Sequence, residues 1–245
     1  MSRKITGIDT LDEILESALP EGYTILVYGP PGAGLEVFAK QFAGVEGRDT
    51  TYIATDEDTD TIKSTLQYFG WDHPGIRIVN FGKEYYEKVL ARRLEISRYR
   101  EEGIKVSDIK RFTASAWKSE RPVNFLTKLV YETGRLPRKF RLVVDSLNFF
   151  VEHYSYASVL SALRTIRAHA QHVGGEVLYT IHGNVYQHTL QTGVESLVDC
   201  LIELETIRTS EGFERNLILH KVTNHPELTG VFKYTIGKSG FVVEK

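Results

Sequence analysis

Residues 29–36 read Gly29-Pro30-Pro31-Gly32-Ala33-Gly34-Leu35-Glu36, a glycine-framed loop set between an apolar run and a helical one. The apolar run Tyr23-Thr24-Ile25-Leu26-Val27-Tyr28 leads into them, and residues 35–46 lead out with helical spacing. The glycine spacing is that of G-x-x-x-x-G-K-[ST], a strand-to-helix loop whose backbone N–H groups cradle phosphates. In that motif a lysine neutralises the phosphates and a hydroxyl holds magnesium. Here Leu35 stands at the lysine position and Glu36 at the hydroxyl position. The loop, Gly29, Pro30, Pro31, Gly32, Ala33, Gly34, Leu35 and Glu36, is the candidate nucleotide-binding segment.

Magnitudes separate frame from chemistry. A hydrogen bond to a charged group contributes about 1.5–3 kcal/mol, and a leucine side chain offers none. Two like charges about 4 Å apart repel by about 4 kcal/mol at an effective dielectric of about 20, which sets Glu36 against any phosphate. Since roughly 1.4 kcal/mol is a factor of ten in affinity, tight Mg-ATP binding is not expected. Glu36 carries a second expectation. A helix N-terminus favours a carboxylate, so Glu36 lying over the loop N–H groups would stand in for phosphate. Lys40, four residues on, suits a Glu-to-Lys helix pair; set one turn down the helix, it is not expected to replace the missing lysine.

Outward from the loop, strands and helices alternate. Residues 8–19 predict a helix capped by Asp9, stopped by Pro20 and Gly22. Strands are predicted over 51–55, 76–81, 140–145 and 177–182, with helices over 57–69, about 123–133 and about 156–173. This order implies parallel βαβ units and a sheet covered on both faces. Residues 199–209, 214–223 and 231–244 predict consecutive strands, with turn signals at Ser210-Glu211-Gly212, Asn224-His225-Pro226 and Gly237-Lys238-Ser239-Gly240. They form an antiparallel C-terminal edge.

The composition sets limits. At 245 residues, 42% hydrophobic and 25% charged, the chain is an ordinary globular protein able to bury a core. A net charge of −2 gives no global attraction to nucleic acid or membrane. The single cysteine, Cys200, lies in an apolar run and excludes an internal disulfide framework. No apolar stretch reaches the roughly 18 residues of a membrane span, the N-terminus lacks a signal-peptide core, and a cytoplasmic location is expected. Residues 83–121 hold eleven Lys/Arg against seven Asp/Glu, with aromatic residues interspersed. They predict a basic, partly helical insertion (about 82–121), either a solvated helix or a surface for a partner or nucleic acid.

Strand-end residues supply the remaining candidates. Asp145 closes an apolar strand, where P-loop enzymes hold magnesium through water. Asp56 and Glu57 end the strand after the loop helix, where a carboxylate orients an attacking water; their alternative role is helix capping. His182 ends another strand, placed to sense a γ-phosphate or to serve structure alone. His169 and His172 share a helix face but make an incomplete metal site.

These motifs together resemble the KaiC/RadA branch of the RecA-like ATPases. Gly7-Ile8-Asp9-Thr10-Leu11-Asp12-Glu13-Ile14-Leu15 and Leu19-Pro20-Glu21-Gly22 are similar to the motif preceding that family's P-loop. Asp56-Glu57 falls on its acidic pair, which includes the catalytic glutamate. Phe69-Gly70-Trp71-Asp72 is similar to the end of its next helix, and Leu142-Val143-Val144-Asp145-Ser146 to its Walker B strand. Gly193 to Asp199 and Tyr234 to Val242 resemble its closing segment. The resemblance spans nearly the whole chain except about 82–121. It implies a single RecA-like three-layer α/β domain over residues 1–245, with a mostly parallel central sheet and an antiparallel C-terminal edge. It also implies ATP or ADP with magnesium as ligand, held weakly if at all, and no tightly bound cofactor. A homo-oligomer or a RecA-like protein partner is implied as well, with Lys221 reaching a neighbouring subunit's phosphates.

Three departures qualify what the resemblance implies. Leu35 and Glu36 replace the loop lysine and hydroxyl, Glu16-Ser17-Ala18 replaces a glycine run, and Thr223 stands where the family places an arginine after Lys221. An arginine finger can supply a factor of about 10³–10⁵ in related chemistry. The expectation is therefore a catalytically weak or inactive ATPase homologue acting as an assembly or regulatory partner. The alternatives are an ATP-binding protein or ATPase with non-standard phosphate contacts, and a DNA-binding recombinase-paralogue accessory protein using residues 83–121.

Overall fold

Period-two burial on strands and period-3.6 burial on helices sort the apolar residues onto two sheet faces. Ile25 and Val27 of β1 (Thr24–Gly29) join one core while Leu26 between them joins the other. The computed structural model describes residues 4–15, 18–103, 123–183, 188–210 and 212–244. The first core packs α1 (Asp9–Leu15), α2 (Leu35–Ala43) and α3 (Thr59–Phe69) against the sheet through Leu11, Phe38 and Ile62. The second packs α6 (Phe125–Gly134), α7 (Asn148–His153) and α8 (Tyr156–Val173) through Phe125, Phe150 and Leu163.

The sheet has nine strands in the order β3-β2-β4-β5-β1-β6-β7-β8-β9. Its parallel part comprises β1, β2 (Thr50–Ala54), β3 (Ile76–Asn80), β4 (Arg141–Asp145), β5 (Glu176–His182) and β6 (Cys200–Thr209). The antiparallel edge follows with β7 (Gly212–Val222), β8 (Gly230–Gly237) and β9 (Gly240–Val243). The expected layers, the mostly parallel sheet and the antiparallel edge are all present. The predicted third strand of that edge is a hairpin, turned at Gly237↔Gly240.

Element ends differ from the sequence expectation where tertiary contacts intervene. The loop helix stops at Ala43 rather than residue 46, with Gly44 as its C-cap; Gly44 lies against Trp71, whose Cβ would be 2.4 Å from a Cβ built there. Asp58, not Asp56 or Glu57, caps α3, accepting from the N–H groups of Asp60 and Thr61. Two helices were not predicted, the short α7 and α9 (His188–Leu197). The insertion is helical through α4 (Phe81–Tyr85), a π-turn (Tyr86–Leu90) and α5 (Ala91–Glu102), ending at Gly103. Its remainder, 104–122, lies outside the described residues.

Candidate functional site

In open α/β sheets ligands bind beyond the carboxyl ends of the strands, and there the loop and its neighbours converge. Gly29 ends β1 in register with His182 of β5, while Ala54 of β2 is in register with Asp145 of β4. The loop frame is formed. Gly32 and Gly34 take φ of +84° and +94°, conformations that suit glycine. Gly34 is also fixed by packing, because a Cβ there would lie 2.3 Å from Ile236 Cδ1. The Ala33 N–H closes a turn onto the Pro30 carbonyl at 3.1 Å. The Ala33 carbonyl accepts from the Tyr234 hydroxyl at 2.8 Å. The β8–β9 hairpin thus clamps the loop from behind.

Side chains around the frame are paired with one another. The Asp145 carboxylate accepts from the Tyr52 hydroxyl at 2.5 Å and from the Thr180 hydroxyl at 2.6 Å, one on each oxygen. Tyr52 is fully buried, and burial, then the charges of Asp145, Glu57 and Glu36, push its phenol well above the ordinary range. Asp56 accepts from the hydroxyls of Thr55 at 2.8 Å and Ser146 at 2.9 Å, and the Ser146 N–H returns a bond to Thr55 Oγ1 at 2.8 Å. The Asn80 side-chain amide donates to the Glu57 carbonyl at 2.8 Å, holding the β2–α3 loop.

Lys40 corrects the sequence expectation. Helical side chains lean toward the N-terminus, so Lys40 points up toward the loop rather than down the helix. Its Nζ lies 2.5 Å from Glu57 Oε2 and donates to the Glu36 carbonyl at 3.4 Å, with the side chain only 1% exposed. The ion pair is therefore made with Glu57, not with the Glu36 carboxylate. Glu36 does not take up the phosphate's position either: among the described residues, no loop N–H donates to its carboxylate, and α2 has no side-chain cap.

The outer candidates are also engaged. The Asn148 Oδ1 accepts the His182 backbone N–H at 2.9 Å, fixing that strand end beside Gly29. Lys221 donates to the carbonyls of Glu195 at 3.2 Å and Ser196 at 3.5 Å, within its own chain. Burial lowers its ammonium from the ordinary lysine range. The Thr223 N–H donates to the Asp199 carbonyl at 2.8 Å. Among the described residues no three His, Cys, Asp or Glu side chains are grouped to hold a metal, His169 and His172 included.

Sequence reasoning missed Tyr52, Thr180 and Tyr234, and misjudged Lys40. Tyr52 and Thr180 reach Asp145 from two flanking strands, and strand order is not written in any one segment. The direction of Lys40 follows from helix geometry and could have been read.

A glycine loop after the first strand of a mostly parallel sheet, facing acidic ends of two other strands, defines a RecA-like P-loop domain. The chain belongs to the KaiC ATPase family, whose model matches residues 5–245. It is similar to a UPF0273 protein of Pyrococcus furiosus, 24% identical over 260 residues that cover 99% of this chain and 94% of that protein. A UPF0273 protein of Thermotoga maritima is 27% identical over 245 residues, covering 96% and 93%. Among solved structures, a KaiC-like protein from Pyrococcus horikoshii superposes with a TM-score of 0.66 at 20% identity, covering 99% of both chains, a likeness of fold. No described helix is long and apolar enough to cross a membrane.

Proposed function

We propose that this chain is a KaiC-family domain whose P-loop binds Mg-ATP weakly and turns it over slowly if at all, and that it acts as an assembly or regulatory partner, in a homo-oligomer or with another RecA-like protein. One observation carries this reading. The loop has no cation at position 35, and Lys40, the next lysine along the loop helix, is buried and committed to Glu57, the candidate catalytic carboxylate. Glu57 Oε2 is thereby occupied by Lys40 instead of being free to orient a water. Asp145, the candidate magnesium residue, already accepts a hydroxyl on each oxygen. With no cation at position 35 and Lys40 turned to Glu57, the residues present fit a magnesium-triphosphate complex poorly.

The test is calorimetry of Mg-ATP binding to the wild type and to Leu35→Lys/Glu36→Thr. The double variant restores a charged donor and removes a repulsion, so its affinity should rise at least about tenfold. A micromolar or tighter wild-type constant overturns the proposal. Equal affinities place any nucleotide site elsewhere.

A second reading has one observation in its favour. The glycine geometry is intact, and a Cβ at Gly32 would meet nothing within 4 Å, so the loop mouth is open. An ATP-binding protein with backbone-only phosphate contacts accounts for that, and the same titration distinguishes it. The DNA-binding alternative rests on residues 83–121, most of whose aromatic and basic C-terminal half lies outside the described residues.

A further inference from the structure

We infer that the amino-terminal end of the sheet, opposite the glycine loop, carries a second binding site, for the phosphate group of a small molecule. The α2–β2, α3–β3 and α6–β4 connections meet there. They enclose a cavity of about 630 Å³, lined by Arg48 and Asp49 from the first, His73 and Gly75 from the second, and Arg138 and Lys139 from the third. Backbone hydrogen bonds tie the walls together. The Thr50 N–H donates to the Gly75 carbonyl at 2.8 Å, and the Arg141 N–H to the Asp49 carbonyl at 3.0 Å. Gly75 permits the close approach, because a Cβ there would lie 3.0 Å from His73 Nδ1 and 3.3 Å from the Arg48 carbonyl oxygen.

His73 points to a ligand. Its Nδ1 accepts the Gly75 N–H at 3.1 Å, which assigns the proton of the neutral imidazole to Nε2. That Nε2 is buried and, among the described residues, has no hydrogen-bond partner. A buried donor left unpaired costs free energy, and this one belongs to a residue that lines the cavity. An anionic oxygen held in the cavity would satisfy it.

Charge selects the class of ligand. Among the described residues, Arg48, Arg138 and Lys139 line the cavity against one carboxylate, Asp49. Glu176 does not cancel Arg48, because it is shared with Arg141, and two guanidiniums on one carboxylate leave a positive charge over. Arg48 Nη1 lies 2.8 Å from Glu176 Oε1 yet makes no hydrogen bond. Among the described residues Arg138 makes no ion pair, and Lys139 makes a loose one to Glu21, 3.7 Å long with both side chains mostly exposed, which contributes little. On a chain of net charge −2, this local excess of positive charge suits a phosphate dianion better than a lone carboxylate. Guanidinium forks match phosphate oxygens. The cavity is also larger than a bare phosphate needs, leaving room for the rest of a small molecule.

The experiment is calorimetry of inorganic phosphate binding to the full chain, without nucleotide and at constant ionic strength, with the imidazole nitrogens followed by NMR. The wild type is expected to bind with a constant of about 1 mM or tighter, and the His73 Nε2 signal to move along the same curve. His73→Asn sets an amide oxygen where Nδ1 accepts the Gly75 N–H and deletes the Nε2 donor. Arg138→Gln removes an exposed charge and leaves the core alone, so it carries the test even if His73→Asn folds poorly. Each is expected to weaken binding about tenfold. Ribose 5-phosphate separates the two sources of the group. Binding tighter than that of inorganic phosphate, and weakened by the same variants, identifies an organic phosphate; equal binding identifies free phosphate. Acetate binding as tightly as phosphate overturns the assignment of class. No saturable binding at millimolar phosphate, or binding that both variants leave unchanged, overturns the site. Neither variant touches the glycine loop, so the ATP titration succeeds or fails independently.

Discussion

At residue scale the loop shows how frame and chemistry separate. Gly34 is required by its φ of +94° and by Ile236 lying against it, neither of which involves a ligand. Gly34 is thus maintained by packing and backbone conformation even where the side chains that serve phosphate are gone. Tyr234 is part of that packing. Burial pushes its hydroxyl up to about 12, so it remains a donor to the Ala33 carbonyl across the physiological range. Tyr234→Phe should cost about 0.5–1.5 kcal/mol in urea unfolding, with the same loss between about pH 6 and pH 9. The folded value lies above the ordinary one of 10.0. The stability linked to this proton is therefore complete below about pH 10 and falls away between about 10 and 12. A loss that varied between pH 6 and 9 would show a different group titrating at the contact.

At the scale of elements, the far end of the sheet is tied by buried charge. Arg141 opens β4 opposite Glu176 of β5, and both are buried. The Arg141 guanidinium donates through Nε at 3.0 Å and Nη2 at 2.5 Å to Glu176, and through Nη1 at 2.8 Å to the Phe42 carbonyl near the end of α2. Arg48 reaches the other Glu176 oxygen at 2.8 Å. One carboxylate thus joins two strands, a helix end and the α2–β2 connection. Glu176→Ala leaves Arg141 buried without its counter-charge and should cost about 3–5 kcal/mol by chemical denaturation. A loss under about 1 kcal/mol, the scale of an exposed pair, would mean water reaches the triad. The strands and helices here were legible from hydrophobic period, and α8 matches its expected span, 156–173, residue for residue. The pairing of Arg141 with Glu176 was not, because Arg141 lies in the predicted strand 140–145, Glu176 falls just before the predicted strand 177–182, and neither segment names the other.

At the scale of the whole molecule, the question is whether turnover can be rebuilt. Lys221 and Thr223 lie at the end of β7, where the family resemblance places contacts to a neighbour's phosphates. Lys221 is bound to carbonyls of its own chain at the end of α9. Restoring the loop alone should therefore leave phosphate release near background in Leu35→Lys/Glu36→Thr. Adding Thr223→Arg should raise it, by up to the factor of about 10³–10⁵ an arginine finger can supply. Robust release by the wild type contradicts the proposed function; release by the double variant alone shows the arginine dispensable.

The fold, and the segments that form the candidate site, were legible in the sequence alone. Strand, glycine loop and helix follow from local conformational preference and hydrophobic period, and the acidic strand ends from their position after apolar runs. All of these are properties of short contiguous segments. Only the tertiary structure decided what each charged group does. Lys40 and Glu57 are 17 residues apart, Tyr52 and Asp145 are 93 apart, and Tyr234 and Ala33 are 201 apart. Pairings across such separations depend on which strands become neighbours, and burial then makes each pairing obligatory, since a charge or hydroxyl removed from water must find a partner.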